Sequence, residues 1–474
     1  MIYLNEVYSI MPLVIIGAGI LISIFIELYS KNGKAILPWF SFVLFIAAGF
    51  YSLLTVQNQS VVFEGMLATG GIPNIFYFIF NIGAALVCLL SADYTKKYGI
   101  NYSEYYILIQ SSVLGMMMMA GAKSLFMIFL GLEVMSVCFY VLAGVNRKKD
   151  KAIEASLKYF LLGAFATGFL VYGIALIYGS AHTTSIDVIT AGFAEYSSDI
   201  IFLVGILLFL IGFSFKIAAF PFHMWVPDVY EGAPTTVTGL FSTIGKAAAF
   251  AAIIATLTAL FSGESTSMFL PYLAVLSIFS MLFGSIVAIA QSNIKRMLAY
   301  SSISHAGYIL IGLAAGTSTG IAGVVFYLAV YTFMNLAAFG IIALIEGEND
   351  TNLEINSYSG LSTKSPVLAA LLAIIMFSLA GLPPLAGFFA KYYVFIAAIK
   401  SGLTWLAILG IISSVISVYF YLRIVVLMYF KEADGEVVPS KSYSGFLGVA
   451  ISVIMVILLG IIPGSLLDLI TSFL

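Results

Sequence analysis

The sequence predicts an all-α polytopic membrane protein of about fourteen transmembrane helices, in part arranged as two inverted five-helix repeats. Three observations predict it. Hydrophobic residues fill 62% of the 474 positions and charged residues only 9%, which excludes a water-soluble globule. Apolar stretches of the roughly 20 residues that cross a hydrocarbon core recur along nearly the whole chain. Two such stretches are interrupted by proline, at Pro221 and at Pro383 and Pro384.

The segments centre near residues 18, 45, 83, 112, 134, 166, 210, 248, 280, 307 and 332, then across 366–400, then near 415 and 455. Glu6 precedes the first, which carries no Lys or Arg, continues apolar to Glu27 and has no small-residue cleavage pattern; it reads as a retained helix and not a signal peptide. Loops after odd-numbered helices hold Lys31, Lys34, Lys96, Lys97, Arg147, Lys148, Lys149, Lys151, Lys295, Arg296, Lys364, Lys431 and Lys441, against Lys123 and Lys400 on the other side. Basic residues collect in cytoplasmic loops, so both termini are expected outside the cytoplasm, and one missed helix would scramble this sorting.

The net charge of -2 carries no sign of nucleic acid as a partner. Cys88 and Cys138 lie in separate predicted helices without CxxC spacing, so neither a disulfide framework nor an iron–sulfur site is expected. There is no Gly-rich phosphate loop and no paired-His metal spacing. Redox chemistry linked to this chain is therefore expected in another polypeptide. The run Met116 to Met119 reads as packing.

Five basic residues fall inside predicted helices: Lys158, Lys216, Lys246, Lys391 and Arg423. Arg423 is near a helix end and can snorkel to the interface. Each of the others costs about 2.5–3.5 kcal/mol at a helix centre. Glu133, in "SLFMIFLGLEVMSVCFY", is the matching acid; it reads either as a structural ion pair or as a carboxylate that tunes Lys216. Burial favours the neutral amine and a nearby carboxylate favours the ammonium, so small movements between such groups switch a lysine between holding and releasing a proton. Lys246, in "FSTIGKAAAFAAII", sits among small residues. Lys158 follows Glu154 by one helical turn, which also suits a plain i, i+4 pair. Lys391 follows Pro384 by seven residues, with snorkelling to the outer surface as its plain reading. His223 and His305 have the chemistry of relay groups between lysines, or else are buried rings satisfied by carbonyls.

A proline inside a spanning helix removes a backbone hydrogen bond, and the freed carbonyls survive in a membrane only where protein or water satisfies them. Pro221 and Pro383 are 162 residues apart, about five helix-plus-loop units, and five is odd, so a second copy would insert upside down. Inverted repeats with interrupted helices at matching positions are a transporter architecture. The expected division is helices one to three (1–103), a first repeat of helices four to eight (104–265), a second of helices nine to thirteen (266–432), and a fourteenth helix (433–474), with the breaks in helices seven and twelve.

The stretches "LGLEVMSVCFYVLAG", "FKIAAFPFHMWVPDVYEGAPT", "NIKRMLAYSSISHAGY" and "GLPPLAGFFAKYYVF" resemble the antiporter-like membrane subunits of respiratory complex I, the NADH-quinone oxidoreductase, from about residue 70 to 430. That resemblance implies fourteen core helices, broken helices seven and twelve, and a proton path along buried charges. It implies Glu133 as the tuning acid, Lys216 as its partner, Lys246 as the central relay and Lys391 on the outlet side, with His223, His305 and Lys158 as further relay positions. A lysine at 391 and a chain that ends at Leu474, just after its fourteenth helix, resemble one branch of the family; another carries a glutamate at the matching place, and a third continues into a lateral helix.

The resemblance further implies that NADH, FMN, iron–sulfur clusters and quinone are bound by other subunits, with no cofactor in this chain. Implied partners are the M-type and K- and J-type neighbours of the membrane arm, the lipid bilayer and protons, in a bacterial cytoplasmic membrane. The expected function is a non-redox, proton-translocating subunit driven by quinone reduction elsewhere in the complex. The alternatives are a subunit of a multisubunit cation/proton antiporter, or a passive membrane scaffold.

Overall fold

A computed structural model describes residues 2–260, 269–347, 350–432 and 439–474. Helices lie at every predicted centre. They are α1 (Met11–Tyr29), α2 (Gly33–Leu54), α3 (Gly71–Lys97), α4 (Ser103–Ala120), α5 (Leu125–Ala143), α6 (Asp150–Ala181), a broken α7 (Ile200–Lys216 and Val226–Gly232) and α8 (Thr235–Thr256). They continue as α9 (Leu270–Ile289), α10 (Ile294–Ala314), α11 (Ser318–Ile345), a broken α12 (Pro366–Ala380 and Ala386–Lys400), α13 (Thr404–Phe430) and α14 (Tyr443–Ile461). Among the described residues 11 helices are long and apolar enough to cross a membrane; α4, α7 and α12 are the other three positions. The expected boundary at residues 265 and 266 lies outside the described residues, as does residue 433, where the last unit was expected to begin.

Polar side chains start several helices by accepting from free backbone N–H groups: Ser124 for α5, Asp199 for α7, Asn293 for α10, Thr317 for α11 and Ser442 for α14. One departure from an all-helical chain is a short antiparallel hairpin, β1 (Ser60–Val62) with β2 (Leu67–Thr69), turned by Phe63, Glu64 and Gly65 with positive φ.

Hydropathy does not distinguish helices that face lipid from helices that face protein, since both are apolar all round. The packing does. In α8 and α11 the whole apolar window is buried, in α10 94% of it and in α3 89%, whereas α1 and α6 bury only 22% and 28%. Thus α3, α8, α10 and α11 form a central group ringed by the rest. Close approach between helices uses glycine: a Cβ on Gly115 of α4 would come within 2.5 Å of the Gly131 carbonyl of α5, and one on Gly173 of α6 within 2.6 Å of the Gly205 carbonyl of α7.

At the α7 break the chain runs irregularly from Ile217 to Trp225, with Ala218 in the left-handed region at φ 63°. Trp225 Nε1 donates to the Phe215 carbonyl at 3.1 Å, and the Phe220 N–H to Ser280 Oγ at 2.9 Å. In α12 the residues four beyond Leu379 and Ala380 are Pro383 and Pro384, which carry no N–H. Those carbonyls would be orphaned in a spanning helix; a lysine satisfies both, as described next.

Lys295, grouped with the loop lysines by sequence position, is corrected by the structure. It occupies the first turn of α10 and is 2% exposed, with Nζ donating to the Ala233 carbonyl at 2.6 Å.

Candidate functional site

Besides Lys295 at the start of α10, three lysines are buried deeper along the helices: Lys216 at 7% exposure, Lys246 at 2% and Lys391 at 5%. Among the described residues none has an acidic oxygen within 4 Å. Neutral oxygens hold each of them.

Lys216 ends the first part of α7. Its Nζ donates to Ser136 Oγ at 2.8 Å and to Tyr140 OH at 3.2 Å, both on α5. Glu133, three residues before Ser136 on α5, is half-buried and accepts from Thr167 Oγ1 of α6 at 3.0 Å. The expected pair is therefore not in direct contact: Lys216 donates to Ser136 and Tyr140, and Glu133 accepts from Thr167. Residues 133, 136 and 140 lie on one face of α5 by helical spacing, so one stripe carries the acid and both lysine acceptors.

Lys246 follows a π-helical turn, Phe241–Gly245, in the middle of α8. Its Nζ donates to the Ser302 carbonyl at 2.7 Å and to Ser302 Oγ at 2.5 Å. One turn along α10, His305 contacts Tyr327 OH through Nδ1 at 2.8 Å and Tyr421 OH through Nε2 at 3.0 Å; Tyr421 OH is in turn hydrogen-bonded to Ser301. The ring of Tyr308 stands edge-on to His305, and Lys391 Nζ sits 5.0 Å from its centroid. Lys391 Nζ donates to the carbonyls of Leu379 at 3.1 Å and Ala380 at 2.9 Å and to Ser414 Oγ at 2.8 Å. It thereby replaces the two donors the prolines lack, at the negative end of a half-helix dipole.

Polar groups therefore run from Lys246 through Ser302, His305 and Tyr308 to Lys391. Between Lys216 and Lys246 the packing is aromatic: Phe139 of α5 lies 4.5 Å, centroid to centroid, from Phe241 of α8, and Tyr159 of α6 joins them.

Two predicted positions lie apart from this array. His223 is buried between Phe220 and Phe283, and among the described residues its Nδ1 has no hydrogen-bond partner. Lys158 keeps 41% of its side chain exposed, with ion pairs to Glu154 at 2.6 Å and Asp228 at 2.7 Å. Asp228 also holds Arg296 at 2.8 Å, while Glu231 accepts from Arg296 at 3.1 Å and from Lys151 at 2.9 Å. These pairs tie the second part of α7 to α6 and α10. Arg423, expected to snorkel, reaches the carbonyls of Ile289 and Gln291 at the end of α9.

Asp228 thus faces two cations, Lys158 and Arg296. An ordinary carboxylate, with a pKa of about 3.9, is ionised throughout the neutral range, as are lysine and arginine. Asp228→Asn is therefore expected to lower thermal stability equally at pH 6 and pH 8, by about 1 kcal/mol or less for so exposed a pair. Melting curves at both pH values check this; a loss confined to one of them contradicts it.

Sequence reasoning missed two buried groups, Lys295 and Glu346. The only signal for Lys295 was Asn293, a helix-starting residue that places it inside the first turn. Glu346 merely follows a long apolar run. Among the described residues no cluster of His, Cys, Asp and Glu is placed to hold a metal ion.

The family profile described as "NADH:quinone oxidoreductase/Mrp antiporter, TM" matches residues 122–417. The chain is 45% identical over 433 residues to NADH-quinone oxidoreductase subunit N of Trichlorobacter lovleyi, covering 90% of this chain and 88% of that one. It is 41% identical over 472 residues to NADH-quinone oxidoreductase subunit N 1 of Chloroherpeton thalassium, covering 98% of each. Among solved structures, a chain of respiratory complex I from Thermus thermophilus with bound aureothin superposes with a TM-score of 0.82 at 29% identity, over 97% of this chain and 99% of that one. A chain of the Mrp complex from Dietzia shares the fold, with a TM-score of 0.86 at 21% identity over 98% and 96% of the two chains.

Proposed function

The chain belongs to the NADH:quinone oxidoreductase/Mrp antiporter transmembrane family, and on that premise we propose that it is the N-type, proton-translocating membrane subunit of an NADH:quinone oxidoreductase. One observation carries the reading: three buried lysines held only by hydroxyls and carbonyls, with Ser302, His305 and Tyr308 lying between two of them. In a low-dielectric interior an ammonium without a counter-charge is costly, so small changes in nearby charge decide whether it keeps its proton. Glu133 is positioned to make such a change at Lys216 through the Ser136 and Tyr140 stripe. Lysines are poor ligands for sodium, which favours oxygen cages, so the transported ion is the proton.

In this reading the chain is a non-redox translocase. NADH, flavin, iron–sulfur clusters and quinone belong to other subunits, and M-type and K- or J-type neighbours flank it in the bacterial inner membrane. The Lys-rich end is cytoplasmic and both termini lie on the opposite side. Helices α4–α8 and α9–α13 are the two inverted units, each with a break in its fourth helix; α1–α3 precede them and α14 follows. A role as a subunit of a multisubunit cation/proton antiporter is less supported, because the relatives at 41–45% identity carry the oxidoreductase name while the Mrp chain is similar in fold at 21%.

The complex carrying Lys216→Ala, reconstituted in vesicles, tests the proposal. NADH oxidation is expected to continue while protons moved per electron fall, with flux through this subunit cut on the order of 10²-fold, as for loss of a proton-transfer group. An unchanged stoichiometry with normal oxidation makes the chain a passive scaffold.

A further inference from the structure

One buried acid takes no part in the array described so far. Glu346 caps the end of α11 and is 1% exposed. Its Oε2 accepts from Thr235 Oγ1 at 2.6 Å and from Tyr94 OH at 3.1 Å. Among the described residues no lysine or arginine nitrogen lies within 4 Å of that carboxylate. Lys97 Nζ reaches the backbone carbonyl of Glu346 instead, at 2.6 Å.

Outward from this acid lies space. A cavity of about 230 Å³ opens at the Lys-rich end between α3, α11 and α14, lined by Asp93, Tyr94, Lys97, Ser440, Lys441 and Ser442. That volume accommodates several waters at ~30 Å³ each. Tyr94 is both a wall of the cavity and a hydrogen-bond donor to Glu346.

Inward lies the array. The segment from Tyr230 to Thr235 links the two regions: Thr235 Oγ1 holds the carboxylate, and the buried Tyr230 hydroxyl lies near Ser302, which accepts from Lys246. Lys295 anchors the same segment through the Ala233 carbonyl. Lys295 and Ser302 are seven residues apart on α10, hence on one face.

We propose that Glu346 is the proton-loading group at the Lys-rich end of this subunit, filled from the cavity through Tyr94 and emptied toward Lys246 by way of the hydroxyls of Thr235, Tyr230 and Ser302. This rests on the proton-translocating reading above. In the loading step a hydronium ion that reaches the cavity gives a proton to Tyr94 OH as that hydroxyl passes its own to the Glu346 carboxylate, so water is left in the cavity and the tyrosine ends unchanged. In the unloading step Glu346 returns to its anion and a neutral Lys246 amine becomes ammonium. Lys295 is a positioning residue, since it touches the segment and not the carboxylate.

The test uses the whole complex in vesicles, with Glu346→Gln and Lys246→Met prepared side by side and proton translocation read against NADH oxidation. Glutamine keeps an acceptor for Thr235 and Tyr94 but cannot carry a proton. Glu346→Gln is expected to lower protons per electron as far as Lys246→Met does, with NADH oxidation retained, and Glu346→Asp to restore part of it. Infrared difference spectra during turnover are expected to show a protonated-carboxyl band that Glu346→Gln removes, a signature that a structural role would not produce. Normal pumping by Glu346→Gln beside a defective Lys246→Met overturns this proposal alone. Normal pumping by both overturns the translocation reading as well. Should the glutamine variant not assemble, Tyr94→Phe cuts the link to the cavity without changing charge: reduced pumping supports the proposal and full pumping overturns it.

Discussion

Replacing Lys246 by methionine should stop proton flow through this subunit while leaving the assembled complex as stable as the parent, or more so. The two outcomes share one cause. Lys246 is 2% exposed and bound only to Ser302, and an uncompensated lysine at that depth costs about 2.5–3.5 kcal/mol. Methionine fills a similar volume without that cost. The Ser302 carbonyl it leaves behind lies within a continuous helix, so little is orphaned. Flux should fall on the order of 10²-fold, the contribution of a positioned proton-transfer group. Lys246→Arg is the informative companion: it keeps the cation but never releases its proton, so it should pump no better than methionine. Vesicle pumping assays with thermal melting of the solubilised complex decide the matter. A Lys246→Arg complex that pumps normally would show that charge alone is needed.

Lys391→Met should lose both pumping and stability. Here the ammonium satisfies the Leu379 and Ala380 carbonyls, whose ordinary partners would be the N–H groups that Pro383 and Pro384 lack. A buried acceptor left unpaired costs about 1–3 kcal/mol, so two of them offset or exceed the gain from removing the charge. Lys391→Arg keeps donors for those carbonyls and should recover stability without recovering flux. If Lys391→Met melts at the parent temperature, the lysine does not hold the α12 break together.

These opposite stability signs were not legible in the sequence. Both residues read as intramembrane lysines of the same cost, because that cost depends on the residue and its apolar neighbours alone. What distinguishes them is which carbonyls lie within reach, and that depends on how the two parts of α12 stack. The proline pair announced that carbonyls would be freed, not which side chain would take them. His223 shows the same limit: its place beside the α7 break suggested a relay, yet the ring is walled in by Phe220 and Phe283.

The sequence by itself determined the helical class, the fourteen positions, the two breaks and the buried lysines with Glu133. All follow from transfer free energies and backbone chemistry that act within one segment. Tertiary structure alone decided that Lys216 meets Ser136 and Tyr140 and not Glu133, and that α3, α8, α10 and α11 are central. It also decided that Lys295 and Glu346 are buried. A charged residue at a helix end looks the same whether it meets water or is covered by a distant segment; Tyr94, which covers Glu346, lies 252 residues away in the chain.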